Sequence, residues 1–254
     1  MKRSQLNLSS IGADAPETAR EFGLGLELAQ FCTAMNLDND SFVRDSLHTC
    51  RAAAPCRVLH APFADLAPAA IDPMVRDVTV HRLRQAVEKA GQLGIDKLVV
   101  HAGYVPHTHF PVWFAPESAA FWREFMQYVP AGVTLCLENV MEPTPEMLLE
   151  IVTTVDDSRF RLCLDLGHAN TEISDYPLEN WLRECAPYLA HLHLHNNCGG
   201  GDLHAPLFEG DIDYLDMCRA VSALAPAASI TLELLECRAS VEWLIKNDLI
   251  RDEL

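Results

Sequence analysis

Eight short apolar runs recur along the chain, and each is separated from the next by a longer segment whose apolar residues lie three or four positions apart. Runs of this kind are typical of buried parallel strands, and the spacing between them is that of amphipathic helices. Eight strand–helix units in 254 residues predict an α/β fold, a single (β/α)8 barrel spanning residues 1–254. The runs cover residues 5–9, 24–31, 56–63, 97–103, 134–140, 161–167, 189–195 and 229–236.

A doubly wound open sheet is the alternative for this alternation of strands and helices. When that fold binds a dinucleotide, a Gly-rich loop follows its first strand. Here the segment around the end of the first run, SSIGADAPE at 9–17, contains one Gly. The sequence therefore favours the barrel.

Local signals mark where two of the helices begin. Asp72-Pro73 and Thr144-Pro145 each pair an N-cap residue with a proline suited to the first helical position. The helix that follows Asp72 is predicted to bury one apolar face against the core. That face consists of Val75, Val78, Leu83, Ala86, Ala90 and Leu93.

Polar residues interrupt six of the runs near their carboxyl ends, although buried parallel strands are otherwise apolar. In a barrel this end of the strands carries the catalytic groups. Six buried polar groups without partners would each cost several kcal/mol, which predicts that they share a divalent cation. Oxygen and imidazole ligands without thiolates suit Zn, Mn, Co, Fe or Mg. The residues are His60, His101, Glu138, Asp165, His193 together with His195 on the same strand, and Glu233.

Three further motifs add candidate ligands. Asp165 and His168 are three positions apart across a strand end, so both can face one pocket. Asp202 and His204 are separated by one residue, which predicts that they lie on one side of an extended segment. The three histidines of the run 191–195 share one strand face for the same reason.

Other polar residues have purely structural interpretations. Glu27, within the second apolar run, is predicted to be a buried ion-pair partner. His107 and His109, in the segment GYVPHTHF, are expected on a loop surface.

The charge balance restricts the partners of the chain. There are 19 Lys and Arg against 36 Asp and Glu, a net charge of −17. Duplex nucleic acid is disfavoured because its binders present a basic face, so we expect a small-molecule substrate. The oligomeric state stays open, a homodimer being one alternative.

The sequence also predicts where the protein resides. No apolar run approaches the roughly 20 residues of a membrane helix, and we expect neither a membrane partner nor a signal peptide. The 9 Cys include no C-x-x-C pair and indicate small buried hydrophobes in a reducing cytoplasm. We therefore expect a cytoplasmic protein.

Seven short motifs, in this order, resemble those of the xylose isomerase-like TIM barrels. This superfamily joins sugar and sugar-phosphate isomerases and epimerases to endonuclease IV. The motifs are HAPF (60–63), VVHAG (99–103), LEN (137–139), DLGHAN (165–170), HLHLHNN (191–197), DLHAPLFEG (202–210) and LE (232–233).

The resemblance implies one divalent metal, Zn, Mn, Co or Mg, with four protein ligands. Matched position by position, these are Glu138, Asp165, His193 and Glu233. The resemblance also implies that Glu138 and Glu233 act as acid and base, a chemistry in which His168 and His193 are expected to stabilise the enediolate oxygens. It thereby implies an isomerase or epimerase of a small sugar, sugar phosphate or polyol.

Endonuclease IV implies an alternative with up to three metals. Its larger ligand set has a matching residue type at all nine positions of this sequence. The alternative activity is a di- or tri-zinc phosphodiesterase, acting on a small phosphodiester rather than duplex DNA because of the net charge of −17. The nine positions are His60, His101, Glu138, Asp165, His168, His193, Asp202, His204 and Glu233.

Overall fold

Eight parallel strands close into a barrel, each paired with the next in sequence and the eighth paired with the first. The structure is a computed structural model that describes residues 1–252, with the backbone alone at residues 40, 42, 43 and 46. The strands are β1 (Leu6–Ser9), β2 (Gly25–Leu28), β3 (Cys56–His60), β4 (Lys97–His101), β5 (Thr134–Glu138), β6 (Phe160–Asp165), β7 (Leu189–Leu194) and β8 (Ser229–Leu232).

Eight α-helices alternate with these strands, which confirms the predicted (β/α)8 barrel. None of the helices within residues 1–252 combines the length and apolar character needed to cross a membrane. The helices are α1 (Ala15–Phe22), α2 (Asp40–Ala53), α3 (Pro73–Leu93), α4 (Pro111–Phe125), α5 (Glu146–Val155), α6 (Leu178–Cys185), α7 (Tyr214–Leu224) and α8 (Arg238–Lys246).

The interior of the barrel contains a small apolar layer formed by Val58, Val99, Cys136 and Cys163. Strand side chains alternate between two faces, so the residue two positions further along each strand also points inward. The alternation thereby directs ligand-type residues to the inner face at the carboxyl ends of the strands. These residues are His60, His101, Glu138 and Asp165.

One of the two predicted helix starts is wrong. The Asp72 side chain accepts the N–H of Met74 at 2.8 Å and begins α3 as predicted. Helix α5 instead has Pro145 at its N-cap position, with no side-chain cap. Thr144 lies one residue too early to cap it, because the proline already occupies the boundary.

The predicted apolar face of α3 is buried in its second half and exposed in its first. Leu83, Ala86 and Ala90 are buried, whereas Val75 and Val78 are 39% and 54% exposed. The helix has 21 residues and is about 31 Å long, at 1.5 Å per residue. The neighbouring five-residue strand β4 spans only about 17 Å, so the first turns of α3 extend beyond the sheet.

Candidate active site

Glu138, at the end of β5, lies at the centre of a cluster of histidines. Its side chain is fully buried. Its Oε1 is 2.8 Å from Nδ1 of His193, and its Oε2 is 2.9 Å from Nε2 of His101 and 3.2 Å from Nε2 of His60. Strands β3, β4, β5 and β7 therefore deliver four side chains to one point.

The same nitrogen of His193 also faces two further carboxylates. Its Nδ1 is 3.3 Å from Oε2 of Glu233 and 3.7 Å from Oδ2 of Asp165. Glu138, Asp165, His193 and Glu233 thus converge on a single position. This is the set of four that the family resemblance names.

A second group of ligand-type residues adjoins the first. Nε2 of His168 and Nε2 of His204 lie 3.3 and 3.2 Å from Oδ2 of Asp202. Nε2 of His195 lies 3.1 Å from Oδ1 of Asp165 and 3.3 Å from Oδ1 of Asp202. The structure therefore brings all nine sequence-predicted residues into one continuous cluster.

One detail of this second group differs from the sequence analysis. His204 has a φ of 47°, so Asp202 and His204 meet through a left-handed residue rather than along an extended segment. His195 is not among the nine positions that the resemblance to endonuclease IV implies, but its place on the strand face of His193, two residues further on, made it a candidate ligand in the sequence. The structure brings it into the cluster.

Three histidines of the cluster are anchored through their outer nitrogen. In each ring Nδ1 must carry the proton, because its partner is a backbone carbonyl and can only accept. Nε2 of the same ring then faces a carboxylate. The bonds join His60 to Ala61 at 3.1 Å, His168 to Asn139 at 2.8 Å and His204 to Glu233 at 2.7 Å.

This arrangement fits a divalent cation. A neutral imidazole whose second nitrogen faces a carboxylate oxygen places two acceptors against each other, and only an added proton or a cation satisfies both. Oδ2 of Asp165 is buried and makes no hydrogen bond. The donor atoms are carboxylate oxygens and imidazole nitrogens, which Zn, Mn and Co accept.

The electrostatics of the cluster keep its central carboxylates ionised. Burial alone would raise the pKa of Glu138, but His193 and His101 outweigh it and hold the pKa well below its usual value. Burial would also raise the pKa of Asp165, but His168 and His195 outweigh burial and lower this pKa to about 2. Both side chains are therefore ionised at neutral pH, the form in which a carboxylate binds a cation.

Glu27 supports the cluster from below, and its predicted role as a buried ion-pair partner is confirmed. Its Oε1 is 3.1 Å from Nε2 of His193, and its Oε2 is 3.0 Å from Nε2 of His191. The hydroxyl of Thr231 donates to the same carboxylate at 2.6 Å. The carboxylate of Glu27 therefore holds the His193 ring with Nδ1 directed at Glu138, Asp165 and Glu233.

The two histidines of the β4–α4 loop take no part in the cluster. His107 is exposed, as predicted. His109 is half-buried instead, since its Nδ1 accepts the N–H of Val105 at 3.0 Å and its ring packs 5.1 Å from that of Phe114.

The sequence matches the family of xylose isomerase-like TIM barrels over residues 22–247. This chain belongs to that family. Among curated relatives, the uncharacterized protein MJ1311 of Methanocaldococcus jannaschii is 31% identical over 194 residues. That match covers 73% of this chain and 66% of the relative, just under two thirds of its length.

Solved structures of similar proteins share the whole fold. A D-tagatose 3-epimerase-like protein is 26% identical with a TM-score of 0.75, covering 98% of this chain and 97% of that one. The protein TTHB071 from Thermus thermophilus, soaked with ZnCl2, is 26% identical with a TM-score of 0.74, covering 96% of this chain and 97% of the other.

Proposed function

We propose that the protein is a sugar isomerase or epimerase that depends on a divalent metal held by Glu138, Asp165, His193 and Glu233. The observation that carries the proposal is the convergence of three carboxylates on Nδ1 of His193, at 2.8, 3.3 and 3.7 Å. The likeness to a D-tagatose 3-epimerase-like protein at 26% identity supports the reaction class. The zinc soak of a second similar protein supports the metal.

The chemistry follows from the residues around this position. When bound, the cation supplies Lewis-acid polarisation of a carbonyl and its neighbouring hydroxyl, which lowers the pKa of the adjacent C–H. Glu138 and Glu233 act as the base that removes this proton and the acid that returns it. His168 donates its Nδ1–H to the carbonyl of Asn139, and Asp165 outweighs burial to hold the pKa of His168 well above its usual value. The protonated ring therefore also has an N–H at Nε2 that can stabilise negative charge on a substrate oxygen.

Exchange of a ketose α-proton with solvent deuterium, followed by NMR, tests this proposal. The zinc- or manganese-loaded protein should exchange the proton, and Glu138→Gln and Glu233→Gln should each slow the exchange by about 10²-fold or more. Glu236→Gln, an exposed acid three residues beyond Glu233, is the matched control. Absence of exchange with every ketose tested would rule out this chemistry.

A phosphodiesterase is the second candidate, because the cluster holds more ligands than one metal takes. The groups of side chains close enough to hold an ion include His60–His101–Glu138, Asp165–His168–His195 and His195–Asp202–His204, the last two of which share His195. Several metals together could clamp the attacking and leaving oxygens of a phosphodiester. Nothing in this candidate requires a C–H bond to break.

Elemental analysis of metal per chain, on the wild type and on the double variant Asp202→Asn/His204→Ala, separates the candidates. Under the isomerase proposal, the double variant keeps one metal and the proton exchange. Under the phosphodiesterase alternative, the wild type holds two or three metals and cleaves bis-p-nitrophenyl phosphate. The double variant then loses both the additional metal and the cleavage.

A further inference from the structure

The charged residues of the chain are divided unequally between the two ends of the barrel. None of the 19 Lys and Arg residues lies in the eight segments that connect the carboxyl end of a strand to the following helix, all within described residues 1–252. Seven of these eight mouth loops contain at least one Asp or Glu, the exception being 102–110. The mouth loops therefore provide carboxylates without a permanent cation.

The basic side chains lie elsewhere. Arg57, Lys97 and Arg161 occupy the first two positions of strands β3, β4 and β6, at the opposite end of the barrel. Arg238 begins helix α8 on the mouth side, but its two terminal nitrogens contact the two carboxylate oxygens of Glu21 at 2.6 and 3.1 Å. This guanidinium is therefore already paired.

Two histidines of the mouth already have a carboxylate partner. Nε2 of His168 and Nε2 of His204 both lie against the carboxylate of Asp202. Glu138, Asp165 and Glu233 together carry three negative charges when ionised, one more than a divalent ion neutralises.

The loop that many barrels use for phosphate is here the most acidic. Phosphate groups in TIM barrels are frequently bound by the loops after strands 7 and 8. In this chain the loop after β7, residues 195–213, contains no Lys or Arg and four carboxylates. They belong to Asp202, Glu209, Asp211 and Asp213.

Exposed apolar side chains stand beside the ligand-type residues. Phe63 is 39% exposed and stacks on the His101 ring, with centroids 4.2 Å apart and an interplanar angle of 13°. Leu203, between two predicted ligands, is 58% exposed, and Leu235, two residues after Glu233, is 59% exposed. Such surfaces suit the apolar face of a sugar ring, whereas a phosphate against them would lose hydration without a compensating bond.

We propose that the substrate is an uncharged sugar or polyol and that the mouth selects against its phosphate ester. The inference rests on the proposed function for the identity of the site. It narrows the substrate class, which the sequence left open between sugars and sugar phosphates.

Calorimetric binding of a polyol and of its terminal phosphate ester to the zinc-loaded protein tests the inference. At low salt the uncharged compound should bind more tightly by roughly tenfold or more, because the negative potential of the mouth repels the ester. Equal or tighter binding of the phosphate ester would overturn the inference, and so would binding of neither compound.

Charge variants at an exposed mouth residue sharpen the test. Glu236→Lys should reduce the ratio of the two binding affinities, polyol over phosphate ester, several-fold, and Glu236→Gln should reduce it by less. Added salt should weaken both effects. Glu88→Lys reverses the charge of an exposed residue on α3 and is the matched control, which should leave this ratio of affinities unchanged. If Glu88→Lys reduced the affinity ratio as much as Glu236→Lys, the selectivity would not originate from charges at the mouth.

Proton exchange, measured on the corresponding ketose and its phosphate, separates the two proposals. Selective binding of the uncharged compounds without exchange would contradict the isomerase or epimerase chemistry and leave the charge selectivity standing. Proton exchange on the phosphorylated ketose at a rate equal to or higher than on the uncharged ketose would contradict the charge selectivity and leave the isomerase or epimerase chemistry standing.

Discussion

The imidazole of His193 has carboxylates on both sides, and this arrangement fixes which nitrogen faces the pocket. Glu27 accepts from Nε2 on the inner side, while Glu138, Asp165 and Glu233 face Nδ1 on the outer side. Carboxylate partners of this kind orient a histidine ligand and raise its basicity. Glu27 therefore belongs to the function although it does not reach the pocket.

The charge of Glu27 is expected to set the affinity for metal. Glu27→Gln should weaken zinc binding by about 10- to 100-fold, the usual effect of removing such a partner. The zinc affinity is measured by competition with a chelating indicator. Glu17→Gln, an exposed change on α1, is the control. Equal zinc affinity of the two variants would show that Glu27 has no part in orienting His193.

Glu142 should make stability depend on pH. Burial raises its pKa from 4.5 to about 7, although its carboxylate accepts the N–H groups of Val140 and Met141. The unfolded chain releases this proton near pH 4.5 and the folded chain near pH 7. Its contribution to stability is therefore fully present below about pH 4.5 and is lost as the pH rises through 7.

Glu142→Gln is expected to remove this dependence. The amide keeps an acceptor and cannot ionise, so the variant should be more stable than the wild type at pH 8. The shift from 4.5 to about 7 corresponds to about 3 kcal/mol, at 1.36 kcal/mol per pKa unit. The two proteins should be similar near pH 4.5. Urea unfolding across this range provides the measurement, with exposed Glu146→Gln as control. Parallel curves for wild type and Glu142→Gln would contradict the raised pKa.

The site residues could be predicted to the extent that strand alternation determines them. His60, His101, Glu138 and Asp165 each follow an inward apolar residue by two positions, so their direction was readable from the sequence. His195 obeys the same rule, although it is not among the nine ligand positions that the resemblance to endonuclease IV implies. The burial of Glu142 depends on how a loop folds back, which no local pattern specifies.

At the scale of elements, the strands were predicted better than the helix boundaries. A buried parallel strand is an apolar run whatever surrounds it, whereas a helix end depends on one or two residues. Thr144 and Pro145 illustrate this, since a displacement by one position removed the predicted cap. Val75 and Val78 are exposed because α3 is longer than β4, and the spacing of apolar residues in the sequence does not predict this difference in length.

Close approach between two βα loops creates a requirement for glycine at position 167. A Cβ on Gly167 would lie 2.0 Å from the ring of His195. Gly167→Ala should therefore displace that ring and cost about 1–3 kcal/mol or more of stability. Gly91→Ala, in α3 with nothing within 4 Å of its Cβ, should be neutral or stabilise by up to about 1 kcal/mol. If Gly167→Ala and Gly91→Ala unfolded at the same urea concentration, the predicted difference in stability between the two variants would be wrong.

On the scale of the whole molecule, Lys and Arg are absent from the loops at the carboxyl ends of the eight strands, all within residues 1–252. The basic residues Arg57, Lys97 and Arg161 are near the amino ends of strands, and the carboxylates of the mouth are at the carboxyl ends. Mutual repulsion among those carboxylates opposes folding unless cations compensate it. A bound metal is therefore expected to stabilise the fold as a whole as well as the site.

Removal of metal should consequently lower the melting temperature. Metal that binds only the folded state stabilises it by about 4 kcal/mol at ~1,000 times its dissociation constant. For a chain of this size that corresponds to roughly 10 °C, at about 2–4 °C per kcal/mol. Differential scanning calorimetry with and without a chelator measures the shift.

Two histidine variants decide whether this shift comes from the predicted cluster. His193→Ala removes the ring that faces three carboxylates and should abolish the response to chelator. His109→Ala removes a half-buried ring outside the cluster, so it should lower the melting temperature of loaded and chelated protein alike and leave their difference intact. If the chelator lowered the melting temperature of both variants equally, the stabilising metal would have to bind at a position that does not involve His193.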